Sequence, residues 1–166
     1  MATSENGTSV ALQARKMAIE KGAELVLALS DASILGPFRS AFESFIREGV
    51  EILFCNEQEC LTWSRTDRID LAITEMRDFA KEIYITLGAK GSIVISSAGV
   101  EEVGTDQVVA VDTNGAGDMY AGACLFARTQ KMTPKECAFF ANKCAGAIVQ
   151  EYGARFSSVT EYRELI

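Results

Sequence analysis

Residues 111–118 of the chain read VDTNGAGD, and MYAGACLFA follows directly at residues 119–127. The stretch places Gly115 and Gly117 on either side of Ala116, a small-residue pattern typical of a tight turn that opens a helix. The first turn of a helix has backbone N–H groups without partners, and the helix dipole adds partial positive charge there. The stretch therefore predicts a turn that binds anions, phosphate groups above all.

Asp118 is the unexpected residue of this turn, because a carboxylate beside an anion site repels the anion. The residue makes chemical sense if it removes a proton from a nucleophile that attacks a phosphoryl group. The structural alternative is a glycine-rich strand-to-helix turn in which Asp118 only interacts with the helix dipole. The turn is not a Walker A loop, since no Gly-Lys-Ser/Thr sequence follows it.

Short apolar runs alternate with amphipathic stripes along the rest of the chain. The apolar runs predict strands at residues 25–29, 52–55, 83–87 and 108–111, and a β-hairpin at residues 92–96 and 100–103. The stripes predict helices at residues 10–21, 37–48, 69–80 and 117–128, and a last helix capped by Thr133 and Glu136 around Pro134. This alternation predicts an α/β fold with three α/β/α layers, Rossmann-like, around a mostly parallel sheet.

The composition excludes several classes of function. The chain has 166 residues, of which 48% are hydrophobic, as in an ordinary globular domain. Its 16 Lys and Arg residues against 23 Asp and Glu residues give a net charge of −7, which argues against a nucleic acid partner. The chain has no histidine, so Ser-His-Asp and Cys-His catalysis and imidazole zinc sites are excluded.

The cysteines and the N-terminus indicate a cytoplasmic protein. None of the cysteines forms a C-x-x-C pair, and we expect reduced core thiols at Cys55, Cys60, Cys124, Cys137 and Cys144. Residues 1–9 are predicted to be a polar tail without the features of a signal peptide. No apolar run approaches the roughly 20 residues of a membrane span, so we expect no membrane partner.

Three motifs, in order, resemble those of the ribokinase-like (PfkB) carbohydrate and nucleoside kinases. The segment at residues 112–118, DTNGAGD, resembles the family signature. Asn56 and Glu59 form an N-x-x-E motif after a predicted strand, and residues 86–91 form a T-x-G-x-x-G motif at another strand end. Each motif is weak alone, but three in the family's order are a strong signal. The resemblance covers residues 24–157.

The resemblance implies the following roles in transfer of the γ-phosphoryl group of ATP. Asp118 would be the catalytic base, and the backbone N–H groups of Gly115, Ala116 and Gly117 would form the anion hole. Asn56 and Glu59 would hold Mg²⁺ through water. The nucleotide would contact Thr86, Gly88, Gly91, Asn114 and Asn142, although a lone Asn on a helix is usually solvated or capping. A monovalent cation such as K⁺ would use Asp112, Gly153 and Ser157.

The resemblance reaches only the C-terminal half of the family's fold. The Gly-Gly sugar-binding region, the substrate-side Asp and the β-sheet lid of the N-terminal half are not found. Residues 10–166 are thus expected to be the ATP-binding half of a kinase domain, a fragment that is inactive alone. Its acceptor would be a sugar or a nucleoside, and residues 29–31 with the ILFCNEQE stretch are most similar to the adenosine-kinase-like branch.

Two alternatives stay open. The chain could be a non-catalytic nucleotide-binding or interaction module derived from such a kinase. A sheet cut through its middle would then leave an unpaired edge strand and apolar patches, and the chain would form a homo-oligomer. The chain could also be a plain structural α/β domain with a coincidental glycine turn.

Overall fold

The computed structural model describes residues 4–46 and 49–166. Its helices are α1 (Glu5–Glu20), α2 (Ala32–Leu35), α3 (Arg39–Ile46), α4 (Glu57–Ser64), α5 (Ile69–Met76), α6 (Ala116–Thr129), α7 (Pro134–Ile148) and α8 (Val159–Arg163). Its strands are β1 (Val26–Ala28), β2 (Val50–Asn56), β3 (Ala80–Thr86), β4 (Ser92–Ser96) and β5 (Gly99–Val103).

The strands form one sheet in the order β1-β2-β3-β4-β5. Strands β1 and β2 are parallel, with Leu27 opposite Leu53. The links at residues 87–91 and 97–98 are too short for a parallel crossover, so β4 and β5 join the sheet as antiparallel neighbours. The predicted α/β fold and the predicted hairpin of β4 and β5 are confirmed.

The chain divides into two compact units, the first comprising Met1–Ile85 with Ile95–Ala98 and the second Thr86–Val94 with Gly99–Ile166. The core of the first unit is centred on Trp63, whose ring meets Phe42 and Phe79 edge-on at centroid distances of 6.4 and 5.8 Å. The Arg39 guanidinium lies over the same indole ring, 4.7 Å from its centroid. This arrangement fixes the C-terminal end of α4.

Helices α6 and α7 form the core of the second unit. Small side chains are buried between them, so the two helices pack closely. The capping box of α7 is formed as predicted: Thr133 Oγ1 accepts from the Glu136 N–H at 3.4 Å, and Glu136 Oε2 accepts from the Thr133 N–H at 2.8 Å. Pro134 occupies the first turn, where its missing N–H costs nothing.

The N-terminal helix starts earlier than the sequence pattern predicts. Helix α1 begins at Glu5 instead of residue 10, because Ser4 caps it by accepting a hydrogen bond from the Gly7 N–H at 3.0 Å. Most of the predicted polar tail is therefore helical, and residues 1–3 lie outside the described residues. The helix predicted at residues 37–48 is observed as α3, and residues 47–48 also lie outside the described part.

The strand predicted at residues 108–111 is wrong. The segment has no regular secondary structure, and Val109 is 85% exposed. The N–H groups of Val111 and Asp112 instead both donate to the carbonyl of Val149 at the end of α7, at 2.7 and 3.1 Å. An apolar run alone did not distinguish this extended segment from a strand.

Two further expectations concern the cysteines and the membrane. All five cysteines are buried and free of disulfide bonds, as predicted. Within residues 4–46 and 49–166, none of the helices has the length and apolar character needed to cross a bilayer.

Candidate functional site

A pocket of about 300 Å³ lies within the second unit. It brings together six of the residues predicted for the nucleotide and the anion hole: Thr86, Gly88, Gly91, Ala116, Gly117 and Asn142. Three separate parts of the chain supply these residues, namely the end of β3 with the loop that follows it, the first turn of α6 and the middle of α7. The rest of the wall is largely apolar and includes Val108, Ala110 and Val149.

The loop after β3 is a tight turn that needs its glycines. Gly88 and Gly91 have φ angles of 61° and 96°, in the region that side chains rarely adopt. The Leu87 N–H closes the turn by donating to the Gly91 carbonyl at 2.8 Å. A Cβ atom on Gly91 would lie 2.1 Å from the Val103 carbonyl oxygen, so the loop lies directly against the end of β5.

Within the described part of the chain, no side chain caps the backbone N–H groups at the start of α6. The cap residue, Gly115, has φ 79° and has no side chain to accept from the helix. Ala116 N–H donates to the Thr113 carbonyl at 3.3 Å, whereas the N–H groups of Gly117 and Asp118 belong to the first turn, which has no helical carbonyl to bind. These N–H groups and the helix dipole make this end attractive to an anion.

Close packing holds this turn in place. A Cβ atom on Gly115 would lie 2.6–2.8 Å from three atoms of Ala154, so only glycine fits there. Asp112 braces the same turn: its carboxylate accepts from the Asn114 N–H at 2.9 Å and from the Gly153 N–H at 3.0 Å. These two hydrogen bonds, the one from Asn114 foremost, lower the pKa of Asp112 below its usual value.

The residues predicted for a monovalent cation are only partly brought together. Asp112 and Gly153 are hydrogen-bonded to each other. Ser157 instead pairs with Glu161, whose carboxylate accepts from the Ser157 N–H at 2.9 Å and from its hydroxyl at 2.8 Å.

Asp118 and Asn114 do not line the 300 Å³ pocket. Asp118 is exposed at the third helical position of α6 and lies on the wall of a second pocket of about 510 Å³, together with Phe126, Arg155 and Tyr162. An exposed carboxylate at the start of a helix is free to meet a hydroxyl group from solvent.

Asn142 is neither solvated nor a cap. It is buried, and its amide nitrogen lies within hydrogen-bond distance of Ser92 Oγ at 3.1 Å, of the Val103 carbonyl at 3.0 Å and of the Gly104 carbonyl at 3.3 Å. Two residues next to it, Tyr120 and Ser92, were not predicted from the sequence. Tyr120 also lines the pocket, and its hydroxyl donates to the same Ser92 Oγ at 2.8 Å. A polar atom on the buried face of α6 was the signal available in the sequence.

Asn56 and Glu59 lie in the first unit and form a complete capping box at the start of α4. Glu59 N–H donates to Asn56 Oδ1 at 2.8 Å, and the Glu59 carboxylate accepts from the Asn56 N–H at 3.0 Å and from its side-chain amide at 2.7 Å. Glu59 is buried, with only 4% of its surface exposed.

The burial of Glu59 has an electrostatic consequence. Desolvation raises its pKa above the usual value, the hydrogen bond from the Asn56 N–H opposes this shift, and the nearby charge of Asp31 adds to it. Among the described residues, no group of three or more His, Cys, Asp or Glu side chains is arranged to hold a metal ion. Oxygen atoms of Asn56 and Glu59 are nonetheless the hard ligands that Mg²⁺ prefers, usually through water.

The chain is similar to several known sugar and nucleoside kinases. Ribokinase of Lactococcus lactis subsp. lactis (strain IL1403) is 26% identical over 107 residues, which are 64% of this chain and 34% of that protein. The crystal structure of adenosine kinase from Sinorhizobium meliloti matches with a TM-score of 0.87 and 32% identity, over 95% of this chain and 49% of that chain. Fructokinase from Vibrio cholerae O395, solved with fructose, ADP and a calcium ion, matches with a TM-score of 0.82 at 21% identity, which shows the shared fold; the match covers 99% of this chain and 57% of that chain.

The chain thus spans about half the length of these solved structures and a third of the ribokinase. The sequence profile of the family described as pfkB family carbohydrate kinase matches residues 2–161, which is nearly the whole chain. With the glycine loop, the open start of α6 and the fold all in agreement, the chain belongs to the pfkB family of carbohydrate kinases.

Proposed function

We propose that the chain is the nucleotide-binding half of an ATP-dependent phosphotransferase that phosphorylates a hydroxyl group of a sugar or nucleoside. The single observation that carries the proposal is the 300 Å³ pocket, which joins the glycine loop to the open start of α6. Its volume lies at the lower end of the range for small-molecule sites. The apolar part of its wall suits a base, and the glycine turns suit phosphates.

In the proposed reaction, the Asp118 carboxylate takes the proton of the acceptor hydroxyl while the hydroxyl oxygen bonds to the γ-phosphorus of ATP. The bond from that phosphorus to the bridging oxygen breaks, and ADP leaves. The N–H groups of Gly115 and Gly117 donate to the oxygens of the transferring group, and the Ala116 N–H joins them by giving up its 3.3 Å hydrogen bond to the Thr113 carbonyl. Because Gly115 is packed against Ala154, these donors are oriented before the reaction begins.

Magnesium, when bound, would neutralise charge on the phosphates. Asn56 and Glu59 are the residues that would hold it, through water, since a direct bond would compete with the capping box. Asp112, Gly153 and Ser157 remain the proposed residues for a monovalent cation. The 32% identity to an adenosine kinase favours a nucleoside acceptor.

The proposal is tested by titrating ATP with Mg²⁺ into the 166-residue chain in a calorimeter. We expect saturable binding, which Gly117→Glu abolishes because it places a carboxylate in the anion-binding turn. Gly122→Glu is the matched control: both glycines are exposed on α6, and a Cβ atom on either meets nothing within 4 Å. A wild-type chain that binds no ATP at millimolar concentration would contradict the proposal, as would equal binding by the two variants.

A second candidate is the interaction module, in which the chain associates without catalysing transfer. Its support comes from the first unit, where α1 exposes apolar side chains that a partner could cover: Val10, Leu12, Met17 and Ile19. Strand β1 at the end of the sheet also exposes Val26. Light scattering after gel filtration tests this candidate; a strict monomer at 100-fold different loading concentrations would count against it.

A further inference from the structure

Three buried side chains meet at one hydroxyl beneath the 300 Å³ pocket. Ser92 Oγ accepts from the Tyr120 hydroxyl at 2.8 Å and from the Asn142 amide at 3.1 Å. Ser92, Tyr120 and Asn142 are only 1%, 2% and 6% exposed. We call these three residues the polar triad. A buried hydroxyl destabilises the fold unless it is bonded, and phenylalanine would fill the space of Tyr120 without that requirement.

Each member of the polar triad belongs to a different element: Tyr120 and Asn142 line the pocket, and Ser92 follows Gly91, which also lines it. Tyr120 lies on α6, one turn beyond the anion-binding start of that helix. Ser92 follows directly on Gly91 and begins β4. Asn142 stands on α7, and its amide nitrogen also contacts the carbonyls of Val103 and Gly104 at the end of β5. The polar triad is therefore the hydrogen-bonded link between the glycine loop, α6 and the segment after β5.

We infer that Tyr120 and Ser92 are positioning residues that hold the start of α6 in register with the glycine loop, so that one nucleotide reaches both. The inference rests on the proposed function. Neither hydroxyl needs to touch the nucleotide; each acts through the elements that it joins. The phosphate chain of ATP spans the gap between these elements, so ATP depends on their register more than AMP does.

The test compares ATP and AMP affinities of Tyr120→Phe and Ser92→Ala in the 166-residue chain. We expect each variant to bind ATP about three- to ten-fold more weakly, the range for loss of a hydrogen bond, while AMP affinity changes less than two-fold. The double variant should lose no more ATP affinity than Ser92→Ala alone, because that change already removes the hydrogen bond from Tyr120 together with the one from Asn142.

Tyr84→Phe is the matched control. Tyr84 is also a buried tyrosine, and its hydroxyl donates to Glu82 at 2.8 Å, but it does not line the pocket. This variant should leave both affinities unchanged. An equal loss of ATP and AMP affinity in Tyr120→Phe, or the same ATP loss in Tyr84→Phe, would show a merely structural role and would overturn the inference.

Hydrogen exchange in the absence of nucleotide separates this inference from the proposed function. The Met119 N–H donates to the Gly115 carbonyl at 2.8 Å in the first turn of α6. We expect Tyr120→Phe to accelerate exchange of this N–H several-fold and Tyr84→Phe not to do so. If the wild type binds no ATP, the proposed function fails while this result still decides the inference; unchanged exchange at Met119 overturns it.

Discussion

Helices α4 and α6 start with the same spacing of a cap residue and a carboxylate at the third helical position, but they complete their first turns differently. In α4, the cap Asn56 and the carboxylate Glu59 bond to each other's backbone N–H groups, and Glu59 is buried. In α6, the cap is Gly115, which has no side chain, and the carboxylate Asp118 is exposed.

The two helix starts differ in whether side chains cap the first-turn N–H groups, and this decides whether those groups remain available to a ligand. The start of α4 is satisfied by its own side chains and needs nothing more. The start of α6 is instead shaped by the contact of Gly115 with Ala154 and by the hydrogen bonds of Asp112, which hold the turn without occupying its first-turn N–H groups. A glycine cap therefore leaves the N–H groups of Gly117 and Asp118 to an external anion, while the Ala116 N–H bonds to the Thr113 carbonyl.

The largest expected effect concerns Asp118. In a polypeptide that also carries the acceptor half, Asp118→Asn should lower the turnover number on the order of 10²–10⁴-fold, because the proposed general base is lost. ATP affinity and the free energy of unfolding should change little, since the Asp118 side chain is exposed. Steady-state kinetics with thermal unfolding measures both. A fully active variant would show that the carboxylate at this position is only a partner of the helix dipole.

The next effect concerns the glycine cap. Gly115→Ala should destabilise the chain by about 1–3 kcal/mol, because it combines positive φ with a backbone clash against Ala154. Gly117→Ala is the control two residues along; its Cβ meets nothing within 4 Å, and it should stabilise the helix by about 0.5–1 kcal/mol. Urea unfolding measures the free energy of unfolding of both variants, and equal values would contradict the tight packing of Gly115.

The cap of α4 should give a smaller loss. Asn56→Ala removes the acceptor of the Glu59 N–H and should lower the free energy of unfolding by about 0.5–2 kcal/mol without any metal present. Thr133→Ala removes the cap of α7 in the same way and should lower the free energy of unfolding by a similar amount. If Asn56→Ala left stability unchanged and weakened only the Mg²⁺ dependence of ATP binding, the contrast between the two helix starts would be wrong.

The smallest effect is a pH dependence. Burial raises the pKa of Glu59 above the usual 4.5, so the folded protein binds its proton more tightly than the unfolded chain does. This contribution to stability is complete below pH 4.5 and is lost as the pH rises through the folded pKa. Glu59→Gln keeps a capping side chain but cannot titrate. The stability of the wild type relative to this variant should therefore fall as the pH rises above 4.5; parallel pH profiles would contradict the assignment.

Local signals in the sequence were sufficient for much of the fold. The capping box of α7 and the hairpin of β4 and β5 depend on residues a few positions apart, and both were predicted. The strand predicted at residues 108–111 failed because an apolar run does not reveal its hydrogen-bond partner, which here is Val149 on a distant helix end. The start of α1 was missed because Ser4 gives only a weak capping signal by itself.

In the candidate site, too, local features were predictable from the sequence and long-range contacts were not. The glycine motifs were visible because tight turns need residues at fixed local positions. The burial of Glu59 and the polar triad were not predictable, since Ser92 lies 28 residues before Tyr120 and 50 before Asn142 along the chain. Such pairings are set by tertiary packing, and no periodicity in the sequence encodes them.

The buried cysteines can be used to measure local unfolding of the protein. Cys55 and Cys60 belong to the first compact unit, and Cys124, Cys137 and Cys144 to the second. Cys144 lines the second pocket, but a thiol reagent reaches the other four cysteines only when the surrounding structure opens, so their labelling rates measure how often it opens. Mass spectrometry of labelled peptides would read the two groups separately. If the proposed function holds, added ATP should slow modification of the cysteines in the second unit first, so the alkylation assay would show which unit the ligand stabilises.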